Sequence, residues 1–243
     1  MNSNRHPFET THWSVVLAAG VEDTVTSRQA LEQLCELYWF PVYGFFRRQL
    51  SDVHQAEDVT QGFFGTLIEN NQFQVADRER GRFRSFLIAA ADNFLKNHFR
   101  AQSAQKRGGD RKHYELNFEL DFANGEQQVA SIGSALSPDQ VFDRQWALVT
   151  LKRAMRELEQ EYRTGGKQEW FDNLKHILSL TQDEGRTYQE IAERIGSNAN
   201  QVKVAAHRLR GAFARKIREV ITETVTSPED VEDEIRCFFK LFS

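Results

Sequence analysis

The chain is poor in the features that would make it a secreted, membrane or metal-bound protein. It carries two cysteines in 243 residues, Cys35 and Cys237, too few for a disulfide framework. Cys35 sits among Leu31, Leu34 and Leu37, where a thiol serves as a small core side chain. No apolar run approaches the ~20 residues a membrane-spanning helix needs. The opening Met1-Asn-Ser-Asn-Arg-His-Pro7 lacks the apolar core of a signal peptide, so a cytoplasmic protein with no membrane partner is expected. No segment alternates apolar and polar residues with period two, which argues against a sheet. The seven histidines are scattered without a paired spacing, so no metal site is expected. No nucleophile–base pair, phosphate-binding glycine loop or carboxylate–metal cluster stands out, and Lys106-Arg-Gly-Gly-Asp110 is too basic for a phosphate loop. The expectation is a protein that is not an enzyme and needs no cofactor.

What the chain does have is charge sorted into blocks. Residues 1–77 hold ten acids against four bases, a net of −6. Residues 94–113 hold six bases (Lys96, Arg100, Lys106, Arg107, Arg111, Lys112) against Asp110, a net of +5. Residues 198–220 hold six more (Lys203, Arg208, Arg210, Arg215, Lys216, Arg218) against Glu219, again +5. The tail, 222–243, returns to −4. Two separated basic blocks on an acidic background suggest two contact zones on one polyanion.

Nearly everything reads as helix. A short amphipathic helix is expected over 11–20, closed by Gly20, and a second over 27–39. Pro41 is expected to start or bend a third over 41–50. A fourth over 54–69 carries Val59, Phe63 and Leu67 on one face and Glu57, Asp58 and Gln61 on another. After a polar loop, 70–83, a long helix over 83–104 buries Phe83, Phe86, Leu87, Ala90, Phe94 and Leu95. Its polar side then presents Arg82, Arg84, Asn93, Lys96, Asn97 and Arg100. Residues 106–136 read as a linker with turns at Asn124-Gly125 and Gly133-Ser134. Ser137-Pro138 starts a helix to about Tyr162, and 168–180 forms another.

The segment Thr187–Arg210 reads as a helix-turn-helix. Thr187 with Glu190 forms a capping box, Gly196 supplies a left-handed C-cap, and Asn198 caps the second helix with Gln201 as reciprocal partner. Ile191, Ala192, Ile195, Val202, Ala206 and Leu209 face inward. Asn200, Gln201, Lys203, Val204, His207, Arg208 and Arg210 face outward, a set able to read base edges in the major groove and hold phosphates.

These motifs together resemble the bacterial extracytoplasmic-function (ECF) sigma factors of RNA polymerase. Ala56-Glu-Asp-Val-Thr-Gln61 is similar to the clamp-binding helix of sigma domain 2. Gly81-Arg-Phe-Arg-Ser-Phe-Leu87, with Asn93 and Arg100, is similar to the segment that melts and reads the −10 element. Gly196–Arg210 resembles the −35-reading motif of sigma domain 4. Thr10-Thr-His-Trp-Ser14, Ala104–Gly109 and Phe142–Leu148 match one subgroup closely. Gly62, Phe86 and Ser197 stand where the family usually has an acid, a tryptophan and an apolar residue.

The resemblance implies an all-α chain of two helical domains. The two are sigma domain 2 (25–105) and sigma domain 4 (137–222), joined by a flexible linker (106–136) and flanked by an N-terminal extension (1–24) and a C-terminal helical extension (223–243). It implies core RNA polymerase, through its clamp and flap, and promoter DNA as partners, with an anti-sigma factor as a further one. Arg82, Arg84, Ser85, Asn93, Lys96, Asn97 and Arg100 would serve the −10 element, and the outward residues of 200–210 the −35 element. Glu57, Asp58 and Gln61 would face the polymerase. Of Phe73, Phe83 and Phe86, one is expected to meet DNA. The tail presents Val231, Ile235, Phe238, Phe239 and Phe242 on one face. It is expected either to pack on the protein's own domains and limit access to DNA, or to complete the core of domain 4. The rival reading is a one-component helix-turn-helix regulator that binds an operator without polymerase.

Overall fold

The computed structural model describes residues 25–69, 83–104, 122–132, 135–178, 186–225 and 228–242. The expected helix at 11–20, Phe73 and the loop 70–82 lie outside them. The architecture is all-α, with no strand among the described residues. The chain divides into two compact units, Met1–Val149 with Thr222–Ser243, and Thr150–Ile221.

At the centre of the first unit is α1, Val25–Gln49. From Leu34 to Phe46 it is buried on almost every side, Leu34, Cys35, Leu37, Tyr38, Trp39, Val42, Tyr43, Phe45 and Phe46 all being core residues. A helix apolar all round must be enclosed by others. Such enclosure accounts for a departure from expectation, because α1 runs unbroken through Pro41. Proline removes one intrahelical hydrogen bond and crowds the preceding turn. Two separate helices would forfeit the continuous apolar surface on which the unit is assembled.

Helix α2, Val53–Glu69, packs on α1. Its first turn is capped by Asp52, whose carboxylate accepts the Gln55 N–H at 2.7 Å. It buries Ala56, Val59, Phe63, Phe64 and Leu67. Helix α3, Phe83–Ala104, closes this layer. Aromatic rings knit the three together, with Trp39 stacked on Phe64 at 5.5 Å, Phe46 edge-on to Phe63 at 5.8 Å and Phe63 edge-on to Phe94 at 5.6 Å.

Within the expected linker lies a helix, α4, Phe122–Ser131. Val129 is buried, and Glu126 accepts hydrogen bonds from the Tyr43 hydroxyl and from Arg47 Nε, the latter at 3.2 Å. Gly125 is therefore not a turn residue. A Cβ there would fall 1.9 Å from the Phe40 ring, so glycine is what lets α4 close on α1. Helix α5, Pro138–Thr164, begins with a capping box in which Gln140 N–H donates to Ser137 Oγ at 3.3 Å and Ser137 N–H to Gln140 Oε1 at 2.9 Å. The unit boundary falls inside α5, between Val149 and Thr150.

The second unit continues with α6, Gln168–Leu174, and a 3₁₀ turn, Lys175–Leu178. Then come α7, Tyr188–Arg194, and α8, Ala199–Thr222. Its core is Leu158, Phe171, Leu174, Ile191, Ala192, Val202, Ala206, Leu209 and Ala212. Ile195, expected inside, is only partly buried. The last helix, α9, Pro228–Lys240, belongs to the first unit. It buries Val231, Glu234 and Phe238, with Phe238 edge-on to Trp146 at 5.8 Å. None of the residues described in the helix-turn-helix core belongs to α9.

Candidate nucleic-acid interface

The turn between α7 and α8 is held at every step. Thr187 Oγ1 accepts the Glu190 N–H at 3.3 Å, and Glu190 Oε2 accepts the Thr187 N–H at 2.7 Å. These bonds hold the Glu190 carboxyl below the usual carboxylate range, the backbone N–H of Thr187 contributing most. Gly196 has φ +63°, and the next N–H, of Ser197, reaches back to the Ala192 carbonyl at 2.8 Å. Asn198 Oδ1 accepts the Gln201 N–H at 2.9 Å. Gln201 does not reciprocate on Asn198. Its Oε1 accepts from the Ser197 hydroxyl at 2.6 Å, so the serine in the apolar staple position ties the turn to the first turn of α8.

Beyond the cap, α8 separates its faces. Val202, Ala206, Leu209 and Ala212 are buried. Asn200, Gln201, Lys203, Val204, His207, Arg208 and Arg210 are all exposed. Further along, Lys216 is only partly exposed and bonds Glu219 at 2.9 Å and Glu161 at 3.5 Å, while Arg215 lies 3.9 Å from Glu161. Lys203, Arg208 and Arg210 stand exposed in the first half of α8.

In the first unit, Ser85, Asn93, Lys96, Asn97 and Arg100 are exposed on α3. At about 100° per residue these five fall within roughly one third of the helix circumference. Lys96 bonds Asp92 at 2.5 Å, and Arg100 reaches Asn97 at 3.4 Å. Asn93 and Asn97 also line an open groove of about 430 Å³ with Phe63, Leu67, Phe86 and Phe94, a surface offering both ring faces and amides. Arg82 lies outside the described residues. Phe83 is a core side chain, edge-on to Tyr38 at 5.1 Å, and Phe86 is half-buried at the groove. On α2, Asp58 is exposed while Glu57 and Gln61 are partly so, and Glu57 lies 4.0 Å from His54 Nδ1.

Arg84 is the exception, and its expected outward position is corrected. It is buried, with Nε donating to Glu234 Oε1 at 2.6 Å, Nη2 to Glu234 Oε2 at 3.1 Å and Nη1 to Asp143. Its guanidinium lies 5.0 Å from the centre of the Trp146 ring. Burial opposes its charge, but Glu234 and then Asp143 outweigh burial, so Arg84 holds its proton more firmly than an ordinary arginine. Tyr38 completes this polar node, with its hydroxyl bonded to the side chains of Trp146 and Thr224. Burial, then the Glu234 charge, pushes that hydroxyl far above the usual tyrosine value. A signal for the node exists in the sequence. Arg84 precedes Leu87, Ala91 and Leu95 at i, i+3, i+7 and i+11, on the buried side, and Glu234 sits between Val231 and Phe238 on the same face of α9. Assigning inward faces from apolar residues alone passes over both.

The fold and these surfaces define a class, an all-α chain with a helix-turn-helix and a second polar helical face carrying cations and amides. The family model for ECF sigma factors matches residues 28–219, most of the chain, and the chain belongs to that family. Its role is therefore that of a DNA-binding sigma factor in transcription initiation. No curated protein and no solved structure matches it. No described helix is long and apolar enough to cross a membrane.

Proposed function

We propose that the chain binds core RNA polymerase and directs it to promoters. Two exposed faces would read the DNA: Asn200, Gln201, Lys203, Val204, His207, Arg208 and Arg210 the −35 element, and Ser85, Asn93, Lys96, Asn97 and Arg100, with Arg82, the −10 element. Glu57, Asp58 and Gln61 on α2 meet the polymerase clamp, whose basic surface suits an acidic helix. The complex acts in the cytoplasm, performs no bond chemistry through this chain, and is open to control by an anti-sigma factor. The observation that carries the reading is the α8 face, where seven side chains suited to base edges and phosphates stand exposed above a buried apolar stripe. The family assignment does not favour a one-component regulator acting without polymerase.

The test is to mix the purified protein with core polymerase and promoter-bearing genomic fragments. A stable complex and discrete run-off transcripts are expected, and their joint absence sinks the proposal. Within that complex, Arg208→Ala weakens promoter binding by about 1–3 kcal/mol if Arg208 reads a base. If it holds a phosphate, the salt dependence flattens by about one unit instead. Unchanged affinity and slope would remove Arg208 from the interface.

A further inference from the structure

Val204 is 43% exposed, and with Phe99 and Phe239 it is one of three exposed large apolar side chains among the described residues. It sits in the second turn of α8, outside the apolar stripe of Val202, Ala206 and Leu209 on which the unit is packed. At about 100° per residue, Asn200, Val204, Arg208 and Gly211 fall within about 80° of the helix circumference, with Val204 near the middle. All four are exposed. The charge around the valine has one sign, since Lys203, Arg208 and Arg210 surround it and no acid occurs from Asn198 to Arg218.

Gly211 on the same strip is also unexplained by the protein's own packing, because a Cβ there would meet nothing within 4 Å. A glycine inside a helix weakens it relative to alanine, and its bare backbone lets a second surface come close. A helix-turn-helix meets base edges through the N-terminal part of its second helix, where Val204 stands. In the major groove those edges present donors and acceptors, and the apolar group among them is the C5-methyl of thymine. An exposed valine amid cations and amides therefore has one apolar partner on the base edges it faces.

We propose that Val204 is a specificity-determining residue that packs on the C5-methyl of a thymine in the −35 element, so that the chain prefers an A·T pair at that step. The proposal rests on the −35 reading of α8 given above and adds a base identity to it. Asn200 and Arg208, each about 6 Å along the helix from Val204, supply the polar contacts on either side. Gly211 gives the duplex clearance.

The test uses the complex of the full chain with core polymerase, and a duplex promoter fragment recovered from the run-off assay. Each thymine of the −35 element, on both strands, is replaced in turn by deoxyuridine, which removes the methyl and leaves every hydrogen-bonding group of the base edge in place. One replacement is expected to weaken binding about four-fold, the worth of one buried methyl. Val204→Ala should weaken binding to the unmodified duplex by a similar factor, and should bind the thymine and deoxyuridine duplexes equally. Val204→Ile keeps the discrimination. Neither variant alters the salt slope, which a lost phosphate contact would move. Val204 lies outside the core of the unit, and the thymine scan on the parent protein requires no variant at all.

The proposal is overturned if the recovered −35 elements share no A·T pair, if no replacement weakens the parent, or if Val204→Ala keeps the full loss at the sensitive position. Weakened association of Val204→Ala with core polymerase in the absence of DNA, with thymine discrimination intact, would overturn it too and mark the valine as a polymerase contact. Failure here with discrete transcripts leaves the sigma factor reading standing, whereas loss of both complex and transcripts removes that reading itself.

Discussion

Gln145 is fully buried in the first unit, and neither end of its amide has a hydrogen-bond partner among the described residues. An unpaired buried amide costs about 1–3 kcal/mol of desolvation that nothing returns. Gln145→Met keeps the length and removes both polar atoms. It should stabilise the first unit by about 1–3 kcal/mol, read as a higher urea midpoint at unchanged slope. A lower midpoint would mean that the amide is satisfied elsewhere. Arg84 is the counterpart at this scale, a buried polar group each of whose three nitrogens has a carboxylate partner. Removing one partner from such a group is costly, about 3–5 kcal/mol for a buried pair. Arg84 and Gln145 both escape a reading that sorts residues into apolar-inward and polar-outward, because burial follows position on the helix and not only side-chain type.

At the scale of the element, the cap of α7 is held by two reciprocal bonds between Thr187 and Glu190. Thr187→Ala should cost the second unit about 1 kcal/mol at neutral pH, measured by thermal melting. Glu190 adds a pH dependence. Its folded value lies below its ordinary one, so its contribution is present above the ordinary carboxylate range and is lost as pH falls through the lowered value. Glu190→Gln should therefore remove part of the acid sensitivity of the second unit. Unaltered acid melting would show that the cap bonds do not matter to folding. Much of this element was legible beforehand. Thr187, Glu190, Gly196 and Asn198 are local signals, each bonding within a few residues of itself, and their geometry matches the expectation apart from the Gln201 side chain. The unbroken α1 and the helix α4 were not legible. Both depend on partners far away in sequence: the shell around Pro41, and the Phe40 ring against which Gly125 lies. A turn signal such as Asn124-Gly125 describes what the backbone is allowed to do, and here a tertiary contact decided otherwise.

Across the whole molecule, charge is sorted by surface. Arg208 and Arg210 stand exposed on α8, while Lys216 in the same basic block is engaged by Glu219 and Glu161. Bonding to Glu219, then the nearby negative charges, raises the Lys216 amine above its ordinary value despite partial burial. Neutralising Arg210 in the polymerase complex should reduce the salt slope of duplex promoter binding by about 0.9, one phosphate contact. Lys216→Gln should leave that slope unchanged. Equal effects from the two would mean that the complex responds to total charge and not to this face.

The unit assignment of α9 also has a meaning for biogenesis. Translation delivers residues 150–221 before residues 228–240, so the helix-turn-helix unit has its whole sequence available while the first unit still lacks its final piece. Until α9 emerges, the Arg84 guanidinium has Asp143 but not Glu234, and the Trp146 ring lacks the Phe238 cover. The first unit can thus be sealed only after the last of its helices has been made, although it contains the helices made first.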